Sequence, residues 1–149
     1  MVKVLHRLSE DMKVAMKERD KFTLSVIRML RSELKYAEIA AKQPLNEDQV
    51  TEVLARELKK RKDAAAEYAA AGRADTADSL AKEQKIIQNY LPAPLTEGEL
   101  RNIVSKAVQE VGAQSPADFG KVMGKVMPQV KGKADGNQVS DLVRQLIGK

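Results

Sequence analysis

The sequence predicts an all-α protein, an N-terminal four-helix domain followed by a small three-helix tail domain. Three observations carry that prediction. Hydrophobic content is 43% and charged content 32%, of mixed sign, with the good helix formers Ala, Leu, Lys, Glu and Gln predominant. Apolar residues return every three or four positions in stretch after stretch, the spacing of one helical face. Between the stretches lie proline, glycine and short polar residues that start or stop helices. With three Tyr, two Phe and no Trp, the core must be built from Leu, Val, Ile, Met and Ala.

The first helix is expected over Val2–Lys17, with Leu5, Leu8, Met12 and Ala15 on one face. His6 lies beside that stripe and reads as a surface or packing residue. Asp20 is placed to cap a second helix, Lys21–Ala41. Ile27, Leu30, Leu34, Ala37 and Ala41 form its apolar face, which Val26, Met29, Tyr36 and Ile39 widen. Arg28, Arg31 and Lys35 make a basic strip on its polar side, read as a solvated face. Gln43-Pro44 ends that helix, and Asn46 with Gln49 forms a capping pair for a third. This one runs to about Ala71 with Leu54, Leu58, Ala65 and Tyr68 inward, and Gly72 stops it. Lys59-Lys60-Arg61-Lys62 resembles a basic patch, yet four successive helical residues point in four directions. Arg61 falls in the apolar stripe, where its guanidinium must snorkel or find a carboxylate. A fourth helix, roughly Ala74–Asn89, buries Leu80 and Ile87 and stops at Leu91-Pro92.

Pro92-Ala93-Pro94 is the clearest boundary, since neither proline continues a helix and both hold the preceding residue extended. It divides an N-terminal domain (1–91) from a tail domain (95–149), with 92–94 as a short stiff connector. In the tail, Thr96 and Glu99 form a capping box, and Leu95 with Leu100 stands where a hydrophobic staple belongs. Leu100, Ile103, Val104, Ala107 and Val111 face inward before Gly112 ends the helix. Ser115, Pro116 and Asp118 supply a cap, a first-position proline and an acid for the next helix. After Gly132, Asp135 with Gln138 caps the last helix, whose inner face is Val139, Leu142, Val143, Leu146 and Ile147.

The helix expected between those two holds the candidate site. Over Phe119–Gly136, FGKVMGKVMPQVKGKADG, the residues Phe119, Val122, Met123, Val126, Met127 and Val130 make one buried face. Gly120, Gly124 and Pro128 recur every fourth residue and make a second face almost without side chains. A mid-helix glycine costs about 1 kcal/mol relative to alanine, so two of them need a reason. Close packing on a neighbouring helix is one, close approach of a phosphate another, and relief of the Pro128 ring from the Gly124 carbonyl a third. Lys121, Lys125, Lys131 and Lys133 line this stretch, and no acid stands between Asp118 and Asp135. The candidate residues for contact with a phosphate-bearing partner are therefore Gly120, Gly124, Lys121, Lys125, Lys131 and Lys133.

Other chemistries find little to work with. There is no cysteine, so no disulfide, thiolate nucleophile or cysteine metal site, and one histidine cannot build a zinc cluster. The serines are scattered, and no GxxxxGK[ST] or GxGxxG phosphate loop occurs. No catalytic residues, metal ligands or cofactor are assigned. The net charge of +5 and pI near 9.4 suit a polyanionic partner. Residues 1–94 hold 18 basic and 15 acidic residues, residues 95–149 hold 8 and 6, so clustering rather than total charge distinguishes the tail. The N-terminus is too charged for a signal peptide, and no apolar run is long enough for a membrane span. A cytoplasmic protein is expected.

DKFTLSVIRMLRSELKYAEI, YLPAPL and FGKVMGKVMPQVKGKADGNQVSDLV together resemble the YqeY family, essentially end to end. The last portion is similar to the tail domain of the aspartyl/glutamyl-tRNA amidotransferase B subunit, which contacts the tRNA body while chemistry occurs elsewhere. The resemblance implies a helical domain followed by a three-helix tail. It also implies a label, carbon–nitrogen ligase with glutamine as amide donor, that rests on a non-catalytic portion. The expected function is a non-catalytic tRNA-binding accessory protein, related to tRNA-dependent amidation, that meets structured RNA through the basic tail. The alternatives are a protein–protein adaptor docking through the apolar side of Lys21–Ala41, and a component of a glutamine-dependent ligase active only in complex.

Overall fold

A computed structural model describes residues 2–148. Among them the chain forms seven α-helices and no strand, so the protein is all-α. The helices are α1 (Lys3–Lys17), α2 (Lys21–Ala41), α3 (Glu47–Ala70), α4 (Ala74–Gln88), α5 (Glu97–Val111), α6 (Phe119–Val130) and α7 (Gly136–Leu146). They fall into two compact units, α1–α4 and α5–α7, divided between Leu91 and Pro92.

In the first unit, Leu8, Ile27, Leu30, Leu34, Val50, Leu54 and Ile87 are fully buried in one cluster. The helix starts are fixed locally. Asp20 accepts a hydrogen bond from the Thr23 N–H at 3.1 Å; the Thr23 side chain, and then that backbone bond, hold its carboxyl below the usual range. Asn46 and Gln49 exchange hydrogen bonds of 2.9 Å in each direction, a complete capping box. α1 is tied to the end of α4 by polar contacts: the Arg7 guanidinium donates to the Asn89 carbonyl at 2.9 Å and stacks over the Tyr90 ring. The Tyr90 hydroxyl donates to Asp11; burial and that acceptor push the phenol well above its ordinary pKa.

Arg61 finds carboxylates rather than snorkelling. It donates to Glu57 at 3.2 Å and to Glu83 of α4 at 3.4 Å, with its side chain only 14% exposed. Glu57 itself is buried, and Lys60 reaches it at 3.0 Å. The network bridges α3 and α4 where the apolar core gives out. Beyond Leu58, α3 has no buried residue. That is why Tyr68, expected inward, is instead 40% exposed, with the Arg73 guanidinium 6.0 Å from its ring. Tyr36 and Ile39 also depart from expectation: their spacing predicts a wider core face of α2, yet both lie in solvent. Leu80 is half-buried.

The tail unit packs Leu100, Val104, Ala107, Val122, Val126, Val130, Val139 and Val143 into a second core. Thr96 and Glu99 form the complete capping box of α5, and Gly112 ends it at φ +70°, a conformation that favours glycine. The Ser115 cap is not made. Pro116–Asp118 is a 3-10 turn without a side-chain cap, and Asp118 accepts from the Gln114 N–H at 3.1 Å instead. At α7, Asp135 accepts from the Asn137 N–H at 2.9 Å.

The buried Glu57–Arg61–Glu83 network makes an asymmetric demand. Arg61→Ala leaves the buried Glu57 with only the largely exposed Lys60 ammonium and takes from Glu83 its partner on α3; it is expected to cost about 1–3 kcal/mol. Adding Glu57→Leu removes the stranded charge and should recover most of that loss. Urea unfolding of the single and double variants checks both; equal stability of wild type and Arg61→Ala would refute a structural role for the network.

Candidate nucleic-acid interface

α6 has two opposite faces. Val122, Val126 and Val130 are fully buried, which fixes the helix's rotation about its axis. Phe119, Met123 and Met127 are half-buried at the edge of that face. Four-residue steps then place Gly120, Gly124 and Pro128 on the opposite side, and all three are exposed. A Cβ built on Gly120 or Gly124 meets nothing within 4 Å. Packing against a neighbouring helix of the tail therefore does not explain these glycines. The Pro128 ring, inside the helix, supplies a local reason for Gly124 but none for Gly120.

The four lysines are not one cluster. Lys121 and Lys125, four residues apart, are exposed beside the bare face. Lys131 and Lys133 occupy the turn between α6 and α7. Lys121 to Lys131 spans roughly 15 Å along the axis at 1.5 Å per residue. Lys133 is held by its backbone: its N–H donates to the Val130 carbonyl at 2.8 Å, and its carbonyl accepts from Leu95 at 3.0 Å. The start of the tail thus clamps the turn that displays it. Cations at this end also complement the helix dipole, a structural reason for two of the four lysines.

The lack of an acid between Asp118 and Asp135 in sequence does not leave these lysines unopposed in the fold. Lys125 Nζ lies 2.7 Å from Glu110 Oε2, and Lys121 Nζ lies 4.0 Å from Asp118 Oδ1. Glu110 comes from the last turn of α5, so no window along α6 reveals it. The Lys125 ammonium, by its hydrogen bond and then its charge, holds the Glu110 carboxyl below its ordinary value, and Lys106 adds to the effect. The Lys125–Glu110 pair is solvent-exposed on both sides, at 44% and 40%, whereas Asp118 is half-buried and also accepts from the Gln114 N–H. Water screens an exposed pair, so it holds its lysine only weakly.

Sequence reasoning left out Lys106 and Arg144. Arg144 stacks 4.9 Å from the Phe119 ring centroid and lies 3.6 Å from Asp141. With Pro116, Gln145, Ile147 and Gly148 it lines an apolar recess of about 550 Å³. The five-residue run from Asp141 to Gln145 carries no signal of it, because Phe119 comes from another helix. Among the described residues no group of three or more His, Cys, Asp or Glu side chains converges on a metal-sized space. His6 is exposed.

The Glu110–Lys125 pair gives a pH signature with a definite sign. The folded-state pKa of Glu110 is depressed, so the pair favours folding above the unfolded carboxyl's pKa, and that contribution disappears as pH falls through the folded value. An NMR titration of the side-chain carboxyl should show a midpoint below that of an ordinary glutamate. Lys125→Met should move it back up; a midpoint unmoved by the substitution would contradict the pairing.

Residues 5–147 match the family model described as Yqey-like protein. The protein named altered inheritance of mitochondria protein 41, mitochondrial, from Pyrenophora tritici-repentis is 29% identical over 97% of this chain and 81% of its own length. The protein of the same name from Kluyveromyces lactis is 32% identical over 81% of this chain and 70% of its own. Both are named as mitochondrial, which overturns the cytoplasmic expectation. That expectation rested on lacking a secretory or membrane-spanning pattern; no described helix is long and apolar enough to cross a membrane, but this does not separate one aqueous compartment from another. The family match, running through all seven helices, establishes that the chain belongs to the YqeY family.

Proposed function

We propose that the chain is a non-catalytic accessory protein that binds tRNA or another structured RNA through the exposed face of α6 and the turn after it. The observation that carries this reading is the open glycine face. Gly120 and Gly124 expose helix backbone with nothing among the described residues within 4 Å of where a Cβ would stand, and Lys121 and Lys125 stand alongside. A ribose-phosphate strand can come closer to such a surface than to one covered by side chains, and nearby ammonium groups then meet its phosphates. The exposed Glu110 pair holds Lys125 only weakly, and Lys121 stands a long 4.0 Å from Asp118, so a phosphate can compete for both ammonium groups.

Backbone recognition suits structured RNA, whose base edges are hidden in a deep narrow groove while sugars and phosphates are displayed. The scarcity of aromatic residues argues against reading a single strand by successive stacking. The resemblance of the C-terminal sequence to the amidotransferase B-subunit tail supports tRNA among structured RNAs and, within this proposal, a role alongside tRNA-dependent amidation. On this reading Gly120 and Gly124 give access, Lys121 and Lys125 contact phosphates beside the face, and Lys131 and Lys133 extend the contact past Pro128.

Measuring tRNA affinity as a function of salt tests the assignment. Four neutralised phosphates correspond to a log–log slope of magnitude roughly 3. Changing Lys121, Lys125, Lys131 and Lys133 together to alanine should weaken binding and flatten the slope by about that amount. A slope unaltered by the four substitutions would remove these residues from the interface.

A further inference from the structure

Helix α2 carries two interleaved series with a seven-residue step: Phe22, Met29, Tyr36 and Ser25, Ser32, Ile39. Seven residues are close to two helical turns, so each series runs as a line, and the offset of three sets the lines side by side. This is the pattern of a seam along which a second helix lies. The core of its own unit uses a different face of α2, that of Val26, Ile27, Leu30 and Leu34.

Within the chain the seam is largely uncovered. Tyr36 is 66% exposed, Ile39 62% and Phe22 38%; Ser25 and Ser32 are exposed and Met29 is half-buried. Burying the seam costs little in polar terms at Ser25, whose hydroxyl already donates to the Phe22 carbonyl at 2.9 Å. Beside the C-terminal half of the seam a recess of about 600 Å³ opens between α2 and α3. Ala37, Ala40, Ala41, Leu45 and Val53 contribute its apolar lining. Small side chains there leave room for larger ones from outside.

Charge narrows the occupant. Arg28 and Lys35, again seven residues apart, run along the edge of the seam away from that recess, and both are exposed. Neither meets a carboxylate among the described residues. The opposite edge carries Glu33 and Ala40, which border the recess. A second copy laid antiparallel would set Arg28 and Lys35 against the same two cations. A parallel copy would bring Arg28 to Glu33 but leave Lys35 opposite Ala40. A helix with acids at both steps satisfies the whole edge.

We propose that the face of α2 from Phe22 to Ile39 docks an amphipathic helix of another protein, apolar along the seam and acidic along the edge that meets Arg28 and Lys35. The face lies in the first unit and stands independently of the RNA reading, which uses α6. At 1.5 Å per residue it is about 25 Å long, enough for five turns of a partner.

The test uses two synthetic helical peptides with leucine at the seam positions. One carries glutamate along the edge that faces Arg28 and Lys35, the other lysine. Titrated into the full chain and followed by fluorescence anisotropy, the glutamate peptide should bind at least roughly tenfold tighter. Tyr36→Glu with Ile39→Glu should abolish binding while circular dichroism and tRNA affinity stay unchanged, because both side chains lie in solvent. Arg28→Glu with Lys35→Glu should reverse the preference between peptides. Absence of binding, equal binding of the two peptides, or a preference untouched by the charge reversal would overturn the proposal. So would sedimentation showing a dimer of the chain that Ile39→Glu dissociates, since a second copy would then be the occupant.

Discussion

The burial of Val122, Val126 and Val130 against α5 and α7 is the constraint on which the candidate site depends. Three β-branched residues at four-residue steps leave α6 one rotation about its axis in which all of them reach the tail core. That rotation turns Gly120, Gly124 and Pro128 outward as a consequence. The buried apolar stripe thus specifies where the bare backbone points, and a helix rolled by a single residue position would present neither face correctly. The tail is small and gains little from its core alone. Complete capping at Thr96 and Glu99, and the backbone bond from Leu95 to Lys133, hold the ends of the elements that frame α6.

Within that frame Lys121 and Lys125 are paired near the surface, an arrangement that the proposed RNA-binding role requires to be exchangeable. Glu110 and Asp118 meet Lys125 and Lys121 at the surface, where water screens the attraction. The first unit shows the opposite arrangement. Glu57, Arg61 and Glu83 meet where side chains are mostly covered, and there removing one partner strands another. One chain therefore contains both kinds of ion pair, and burial separates their roles: the covered network joins helices, while the exposed pairs can be given up to an incoming anion.

The fold was legible in the sequence wherever its determinants were local. Asp20, the Asn46–Gln49 box, the Thr96–Glu99 box and the glycine at position 112 act within one turn of their own residue, so spacing revealed them. Arg61 was legible as structural because a guanidinium in an apolar stripe has few options, though which carboxylates it would find was not. The misreadings share one cause, partners distant in sequence. Tyr68 falls on the apolar stripe of α3, yet the core ends at Leu58 because no buried layer continues beside the later turns. Glu110 precedes Lys125 by fifteen residues and reaches it only when α5 and α6 pack together. Tyr36 and Ile39 satisfy the pattern of an apolar helix face, and periodicity alone does not say whether that face is covered from within the chain.

The same limit applies to the glycines. Spacing showed a bare face but left open what came close to it, and the empty space above Gly120 turns that question outward. The most direct measurement is a paired one on Gly120, combining unfolding free energy with tRNA affinity for Gly120→Ala and Gly120→Gln. Because the site is helical and open, alanine should stabilise the tail by about 0.5–1 kcal/mol, and neither substitution should disturb the fold. Stability is expected to rise with alanine while tRNA binding falls, most steeply with the longer glutamine side chain. Undiminished tRNA affinity in the stable, folded glutamine variant would contradict that expectation.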